Sequence, residues 1–331
     1  MAYSLKENLM KEDRLSGGHR MCAGCGSPIA VRTVLRALDP EDKAVVCSAT
    51  SCLEVSTFMY PYTAWKDSFI HNAFENAAAT ISGVETAYRA MKKRGKLDDT
   101  YKFIAFGGDG GTYDIGFQSL SGAMERGHDM VYVCYDNEAY MNTGVQRSSA
   151  TPPAARTATT QIAGEEPGNA WGQGKNVPLI AMAHGIPYVA TATVADLRDL
   201  ERKVTKAMSI RGARYIHILV PCPLGWGSAS GQTVQLARLA HQTGIFPVFE
   251  AEYGKVTGVQ TIRRKEPVES YLKLQKRFAH LFGRNGDPEV LERIQAMADN
   301  NIEKFGLLDL DDETASVVPV PEQGEERAHT I

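Results

Sequence analysis

Six cysteines are spread along a chain of 331 residues, and their spacing is the first feature that points to chemistry. Cys22 and Cys25 form a tight CxxC pair in "MCAGCG", whereas Cys52 in "ATSCLEV" and Cys222 in "PCPLGWG" stand apart. A zinc ribbon would repeat the pair, and a disulfide framework belongs to a smaller, secreted chain. Four thiolates suffice for a [4Fe–4S] cluster, and Pro223 follows Cys222 as a proline follows cysteine ligands in some iron–sulfur motifs. Zinc fits the same stoichiometry. Cys47 and Cys134 lie inside apolar runs and read as buried spectators, although Cys47 is near enough in sequence to compete with Cys52 as third ligand.

A second group reads as a metal and diphosphate site. Glycines in "GGDGG" at 107–111 let the backbone approach a ligand closely, and the helix expected after them offers N–H groups suited to phosphate. Asp109 supplies a hard oxygen ligand, and Asn137, at the end of the next expected strand, supplies another. A Mg²⁺ held by one carboxylate, one amide oxygen and two phosphates matches magnesium's habit of taking few protein ligands. The simpler alternative is a glycine turn with a capping aspartate. There is no GxxxxGK[ST] and no early GxGxxG, so neither a P-loop nor a nicotinamide fingerprint is present. The histidines form no HxxxH or HExxH pair.

These residues need a scaffold. Short β-branched or aromatic runs predict strands at Ala44–Ser48, Lys102–Phe106, Met130–Asp136, Pro187–Thr191 and Tyr215–Val220. Helical patterns lie between them, two of them followed by Gly127 and Gly212 as stops. The alternation predicts an α/β fold, a doubly wound and mainly parallel sheet. In such a sheet ligands bind beyond the carboxyl ends of the strands. Cys52, the GGDGG turn, Asn137 and Cys222 each follow a strand, so all four are expected at one edge. Thr143–Asn176, polar and rich in Thr, Pro and Gly, reads as a flap. After Val220 helical patterns at Val234–Gln242, Glu266–Phe282 and Pro288–Phe305 predict a C-terminal helical extension. The expected organisation is an N-terminal segment with the CxxC ligands at 1–43, the α/β domain at 44–232, the helical extension at 233–310 and a mobile tail at 311–331.

A formal net charge of −3 and aromatics not interleaved with basic clusters argue against nucleic acid as partner. The N-terminal stretch lacks a signal-peptide core, no apolar run spans a bilayer, and a cytoplasmic location is expected.

The stretches "GHRMCAGCG", "ATSCLEV", "YPYTAW", "AFENAAA", "GGDGGTYDIGFQSLSGAMERGHD", "YDNEAYMNTGVQRSSATP" and "YIHILVPCPLGW" closely resemble the β subunits of the thiamine-diphosphate-dependent 2-oxoacid:ferredoxin oxidoreductases, the pyruvate enzymes most of all. The resemblance covers roughly residues 18–250 and implies a sheet of the thiamine-diphosphate-binding type. It implies that Cys22, Cys25, Cys52 and Cys222 hold a [4Fe–4S] cluster, and that Asp109, the Asn137 side chain and the Ala139 carbonyl hold Mg²⁺. Thr50, Ser51, Cys52 and Leu53, Gly110 and Gly111, and Met141 with Asn142 would line thiamine diphosphate, with Asn142 positioning substrate. The implied reaction is reversible, coenzyme A-dependent oxidative decarboxylation of pyruvate, with electrons leaving through the cluster to ferredoxin. Oxalate, 2-oxoglutarate and branched-chain 2-oxoacids are alternative substrates, and a thiamine-dependent lyase with structural zinc is the alternative enzyme. The resemblance also implies a hetero-oligomer: an α subunit supplying the activating glutamate, with γ and ferredoxin-like δ subunits. Ser27 departs from relatives that carry an acidic residue after the CxxCG.

Overall fold

The computed structural model describes residue 6, residues 10–284 and residues 286–308. Its strands are β1 Lys43–Ser48, β2 Ser68–His71, β3 Tyr101–Gly108, β4 Met130–Asp136, β5 Ile162–Ala163, β6 Glu166–Pro167, β7 Tyr188–Thr193, β8 Ala213–Leu219, β9 Phe249–Glu252 and β10 Lys255–Val259. Eight of them form one sheet in the order β10-β9-β7-β8-β4-β3-β1-β2, while β5 and β6 make a separate small ribbon. From β2 to β7 the neighbours are parallel; β9 and β10 add on antiparallel.

Strand β4 shows how sequence builds the layers. All seven of its residues are buried, and alternate side chains point to opposite faces. Val131, Val133 and Tyr135 join Val34, Leu200 and Val204 from helices Ser27–Arg36 and Leu197–Ser209. Met130, Tyr132 and Cys134 join Ile81, Leu120 and Ala181 from helices Ala77–Lys93, Phe117–Glu125 and Val177–Ala183 on the other face. A continuous apolar run is what a strand covered on both faces requires. Gly127, with φ +64°, follows the helix ending at Glu125 as expected of a left-handed stop.

The chain leaves β1 towards β2 on one side, whereas β3 leads to β4 on the other. The crevice between β1 and β3 is therefore a topological switch point, where open α/β sheets bind ligands.

Past Val220 the structure departs from a purely helical extension. Phe249–Glu252 and Lys255–Val259 form a hairpin, with Tyr253 (φ +48°) and Gly254 (φ +79°) in its two-residue turn. Charges at Glu250 and Glu252 on β9 and at Lys255 on β10 masked the strands, and a lysine on the edge strand β10 blunts it against further pairing. Glu266–Phe282 is not one helix but Val268–Leu272 and a 3₁₀ stretch, Lys276–Leu281, broken at Gln275, whose side chain donates to the Tyr271 carbonyl. Pro288–Phe305 is helical throughout. Trp226, Leu236, Tyr271, Phe278 and Ile294 form a third core there. The expected tail at 311–331 lies outside the described residues.

Glu250 ties this added edge to the sheet, accepting from Arg202 Nη1 at 2.8 Å, Lys206 Nζ at 2.9 Å and Tyr188 Oη at 2.8 Å. Burial pushes its carboxyl up, but Lys206, Arg202 and Tyr188 outweigh that and bring it down to about 2 from an ordinary 4.5. A depressed carboxyl stabilises the fold above its unfolded value and loses that contribution as pH falls through the folded one. Glu250→Gln is therefore expected to lower stability by about 2 kcal/mol at neutral pH. In urea melts across pH, the gap to wild type should shrink from pH 4.5 towards 2. A gap independent of pH would contradict this role for the carboxylate.

Candidate functional site

The parallel neighbours β1, β3, β4 and β8 deliver four segments to one edge of the sheet, as the alternation predicts. There a cavity of about 70 Å³ is lined by Thr50, Ser51, Cys52, Asp109, Gly110, Gly111, Asn137, Ala139, Met141 and Asn142, all expected, and by Phe74, Gly108, Tyr135, Tyr140 and Thr143. Leu53 is a correction: it is fully buried in the core and is not part of the lining. Its backbone N–H donates to Tyr135 Oη at 3.1 Å, so packing under the loop, rather than ligand contact, explains its apolar side chain. A larger depression of about 550 Å³ opens at the opposite edge. Charged side chains line it, among them the ion pairs Arg14–Asp67 and Lys66–Glu12, both at 2.8 Å.

Asp109 begins a π-helical turn, Gly110–Ile115, that leads into the helix Phe117–Glu125. Such turns recur at functional sites because they widen the backbone locally. At Gly110 a Cβ would lie 2.4 Å from the Tyr140 ring, so only glycine admits this close approach. Tyr140 Oη donates to the Gly110 carbonyl at 2.9 Å. Asp109 is 1% exposed. Burial first, then the neighbouring Asp136, drives its carboxyl well above the usual range. Ser148 Oγ donates to one of its oxygens, and the Asn137 N–H approaches the other at 3.4 Å.

The Asn137 amide decides what this cradle can hold. One end of it lies 3.0 Å from Asp109 Oδ1 and 2.9 Å from the Ala139 carbonyl oxygen. With nitrogen there, the amide donates to both. With oxygen there, three oxygens of different residues converge, an arrangement that only a cation reconciles. The donor set therefore fits a hard divalent ion.

Sulfur collects beside it. The Cys25 N–H donates to the Cys22 carbonyl at 3.1 Å, closing the CxxC turn, and the Gly26 N–H donates to the Pro221 carbonyl at 3.2 Å. Gly24 has φ +76°, and a Cβ there would lie 2.2 Å from the Ser230 carbonyl oxygen. Thr233 Oγ1 donates to the Gly24 carbonyl. These contacts clamp the CxxC loop onto the segment carrying Cys222, whose Sγ accepts from the Gly225 N–H at 3.4 Å. Cys52 opens the helix Cys52–Thr57. Burial chiefly, then Cys222 and Cys25, pushes the Cys52 thiol up to about 12. Burial, eased by Gly225 and reinforced by Cys25 and Cys22, pushes Cys222 up to about 11. Cys22, Cys25 and Cys222 are thus all within electrostatic reach of Cys52. Among the described residues no group of three or more His, Cys, Asp or Glu stands as a ready site for a single metal ion. Cys47 is fully buried with Ala105 and Cys134 in the core, which removes both from the sulfur group.

The stretch Thr143–Asn176 is pinned down more closely than a flap. Besides Ser148, the Ser149 N–H donates to Asp114 at 3.0 Å, Lys175 Nζ reaches the Tyr113 carbonyl at 2.7 Å, and Thr151 Oγ1 donates to the Glu138 carbonyl at 2.7 Å. A further group came without signal in the sequence: Arg277, from the C-terminal extension, ion-pairs with buried Glu138. Burial pushes the Glu138 carboxyl up to about 7, against Arg277 and with help from Asp136. Asp136 itself meets His217 Nε2 at 2.9 Å.

Residues 44–218 match the family described as thiamine pyrophosphate enzyme, C-terminal TPP-binding domain. Over 299 residues the chain is 50% identical to pyruvate synthase subunit PorB of Methanocaldococcus jannaschii, covering 90% of this chain and 98% of that one. The PorB subunit of Thermotoga maritima is 47% identical, with 89% and 92% covered. Ketoisovalerate oxidoreductase subunit VorB of Pyrococcus abyssi is 43% identical, with 85% and 90% covered. In fold, the chain is similar to a 2-oxoglutarate:ferredoxin oxidoreductase from Magnetococcus marinus (TM-score 0.53, 23% identity, 69% of this chain and 80% of that one). The chain belongs to the thiamine pyrophosphate enzyme family, among the PorB-type subunits of the 2-oxoacid oxidoreductases.

Proposed function

We propose that this chain is the cofactor-binding β subunit of a cytoplasmic pyruvate:ferredoxin oxidoreductase. The observation that carries the reading is the position of Cys52: it lines the cavity with Asp109 and also shares the field of Cys22, Cys25 and Cys222. A thiamine site and a one-electron acceptor are thereby neighbours, as oxidation of a 2-oxoacid with transfer of single electrons requires.

In this reading Asp109, the Asn137 amide oxygen and the Ala139 carbonyl hold Mg²⁺, and Gly110 and Gly111 admit the diphosphate. Thr50, Ser51, Met141 and Asn142 line the rest of the cofactor. Bound thiamine diphosphate supplies a nucleophile for the 2-keto carbon and an electron sink as CO₂ leaves. Asn142 is exposed at the cavity mouth, placed to orient substrate or to stabilise charge developing on its oxygen. Cys22, Cys25, Cys52 and Cys222 would hold a [4Fe–4S] cluster, which would supply one-electron transfer towards ferredoxin, and coenzyme A would be the acyl acceptor. A cavity of about 70 Å³ is one wall of a cofactor site, not an enclosure. The α subunit would supply the other wall and the activating glutamate, with γ and δ subunits completing the complex. Residues 44–232 would form the cofactor-binding unit, and 233–310 its support.

Pyruvate is favoured because relatives named pyruvate synthase reach 52% identity, against 43% for the ketoisovalerate enzyme. Among the described residues no helix is long and apolar enough to cross a membrane.

Anaerobically purified complex is expected to hold about four iron and four sulfide per chain at these cysteines. Cys222→Ser should lose or convert that cluster, seen as loss of the broad visible absorption near 400 nm, and Cys134→Ser should leave it intact. An intact cluster in Cys222→Ser, or zinc in place of iron, would overturn the ligand set. With coenzyme A and a viologen dye, the complex should turn over pyruvate faster than 2-oxoisovalerate, 2-oxoglutarate or oxalate. Faster turnover of any of these would move the substrate assignment.

A further inference from the structure

The proposed magnesium oxygens come from residues 137 and 139, and the residue between them adopts an unusual backbone. Glu138 has φ +66°, a left-handed conformation that non-glycine residues rarely take. That turn brings the Asn137 amide and the Ala139 carbonyl to the same side, within 2.9 Å of each other. Such a conformation persists where its surroundings over-determine it. Here the Glu138 N–H donates to Asp136 Oδ1 at 2.8 Å and its carbonyl accepts from Thr151 Oγ1 at 2.7 Å. Two further contacts come from outside the matched family segment. Trp226 Nε1 donates to the Asn137 carbonyl at 2.8 Å, and Arg277 donates to Glu138 Oε2.

Arg277 joins these two contacts. Its guanidinium lies 4.1 Å from the centre of the Trp226 ring, so one planar group supports the indole and grips the carboxylate together. It is 4% exposed. Its Nε donates to Gln275 Oε1 at 2.9 Å, Gln275 in turn donates to the Tyr271 carbonyl, and the Arg277 carbonyl accepts the Arg156 N–H at 3.0 Å. Arg277 lies buried in the 3₁₀ stretch that follows the extended residue Gln275.

Resting on the magnesium reading above, we propose that Arg277 is a positioning residue for the metal–diphosphate site. It locks the left-handed Glu138 turn through Glu138 and Trp226, so that the Asn137 amide oxygen and the Ala139 carbonyl face Asp109. The C-terminal extension is then part of the cofactor site's construction.

The test uses the co-expressed complex with thiamine diphosphate and Mn²⁺ as the spectroscopic probe, its binding followed by electron paramagnetic resonance. Arg277→Lys keeps the charge but loses the stacked fork. It is expected to weaken Mn²⁺ affinity by at least about tenfold, the usual cost of losing a group that orients a metal ligand. Iron content and melting temperature should stay near wild type. Should the single variant fold poorly, Glu138→Gln combined with Arg277→Met removes both buried charges together and reads the same affinity. Weakened Mn²⁺ binding in a folded variant supports the proposal; wild-type affinity in both variants overturns it. Asp109→Ala separates this from the site itself. If wild-type complex fails to bind Mn²⁺, or Asp109→Ala binds it normally, the magnesium reading falls and this inference falls with it.

Discussion

Three buried carboxyl groups at the ends of β3 and β4, Asp109, Asp136 and Glu138, set the terms for the rest of the structure. A buried carboxylate is costly unless paired. Asp136 has His217 and the Glu138 N–H, and Glu138 has Arg277. Asp109 has only Ser148 and a long contact from the Asn137 N–H, with no basic partner among the described residues. Its Oδ1, the oxygen that the Asn137 N–H approaches, also faces the Asn137 amide, which in turn faces the Ala139 carbonyl. The fold thus concentrates oxygen and withholds positive charge at one point, which is the requirement of a divalent cation bound to a diphosphate.

The sulfur group obeys a similar logic. Burial raises the Cys25, Cys52 and Cys222 thiols, so ionising them together needs a cationic centre that draws off their protons. The CxxC loop has no strand of its own to carry it to this edge. It is held instead through Gly24 and Gly26, against Ser230 and Val220. The neighbourhood of the two centres therefore rests on glycine contacts outside the sheet as much as on strand order.

Much of this was legible in the sequence because the central strands are buried on both faces. A run such as "MVYVCYD" has one reading, and its strand end carries Asn137 with it. By the same logic Cys52, Asp109 and Cys222, each just past a strand run, belong at one edge. What was not legible follows from charge and from distance along the chain. β9 carries two glutamates that ion-pair with Lys206 of the helix Leu197–Ser209, and β10 opens on a lysine; these charges hid the alternation. β2 has only four residues, too few for a pattern. Arg277 is more than a hundred residues from Glu138, in a stretch that reads as an ordinary amphipathic helix, and nothing in its neighbours marks it. The resemblance puts Leu53 at the cofactor with its neighbours, whereas its apolar side chain packs in the core.

The central claim is that one sheet edge holds a divalent cation at Asp109, Asn137 and Ala139 beside an iron–sulfur cluster. Crystals of the anaerobic complex grown with thiamine diphosphate and Mn²⁺, with anomalous maps at the manganese and iron edges, test it most directly. The manganese peak is expected among Asp109 Oδ1, the Asn137 amide oxygen and the Ala139 carbonyl, with the iron peak enclosed by Cys22, Cys25, Cys52 and Cys222. Manganese bound elsewhere, or iron away from those four sulfurs, would contradict it.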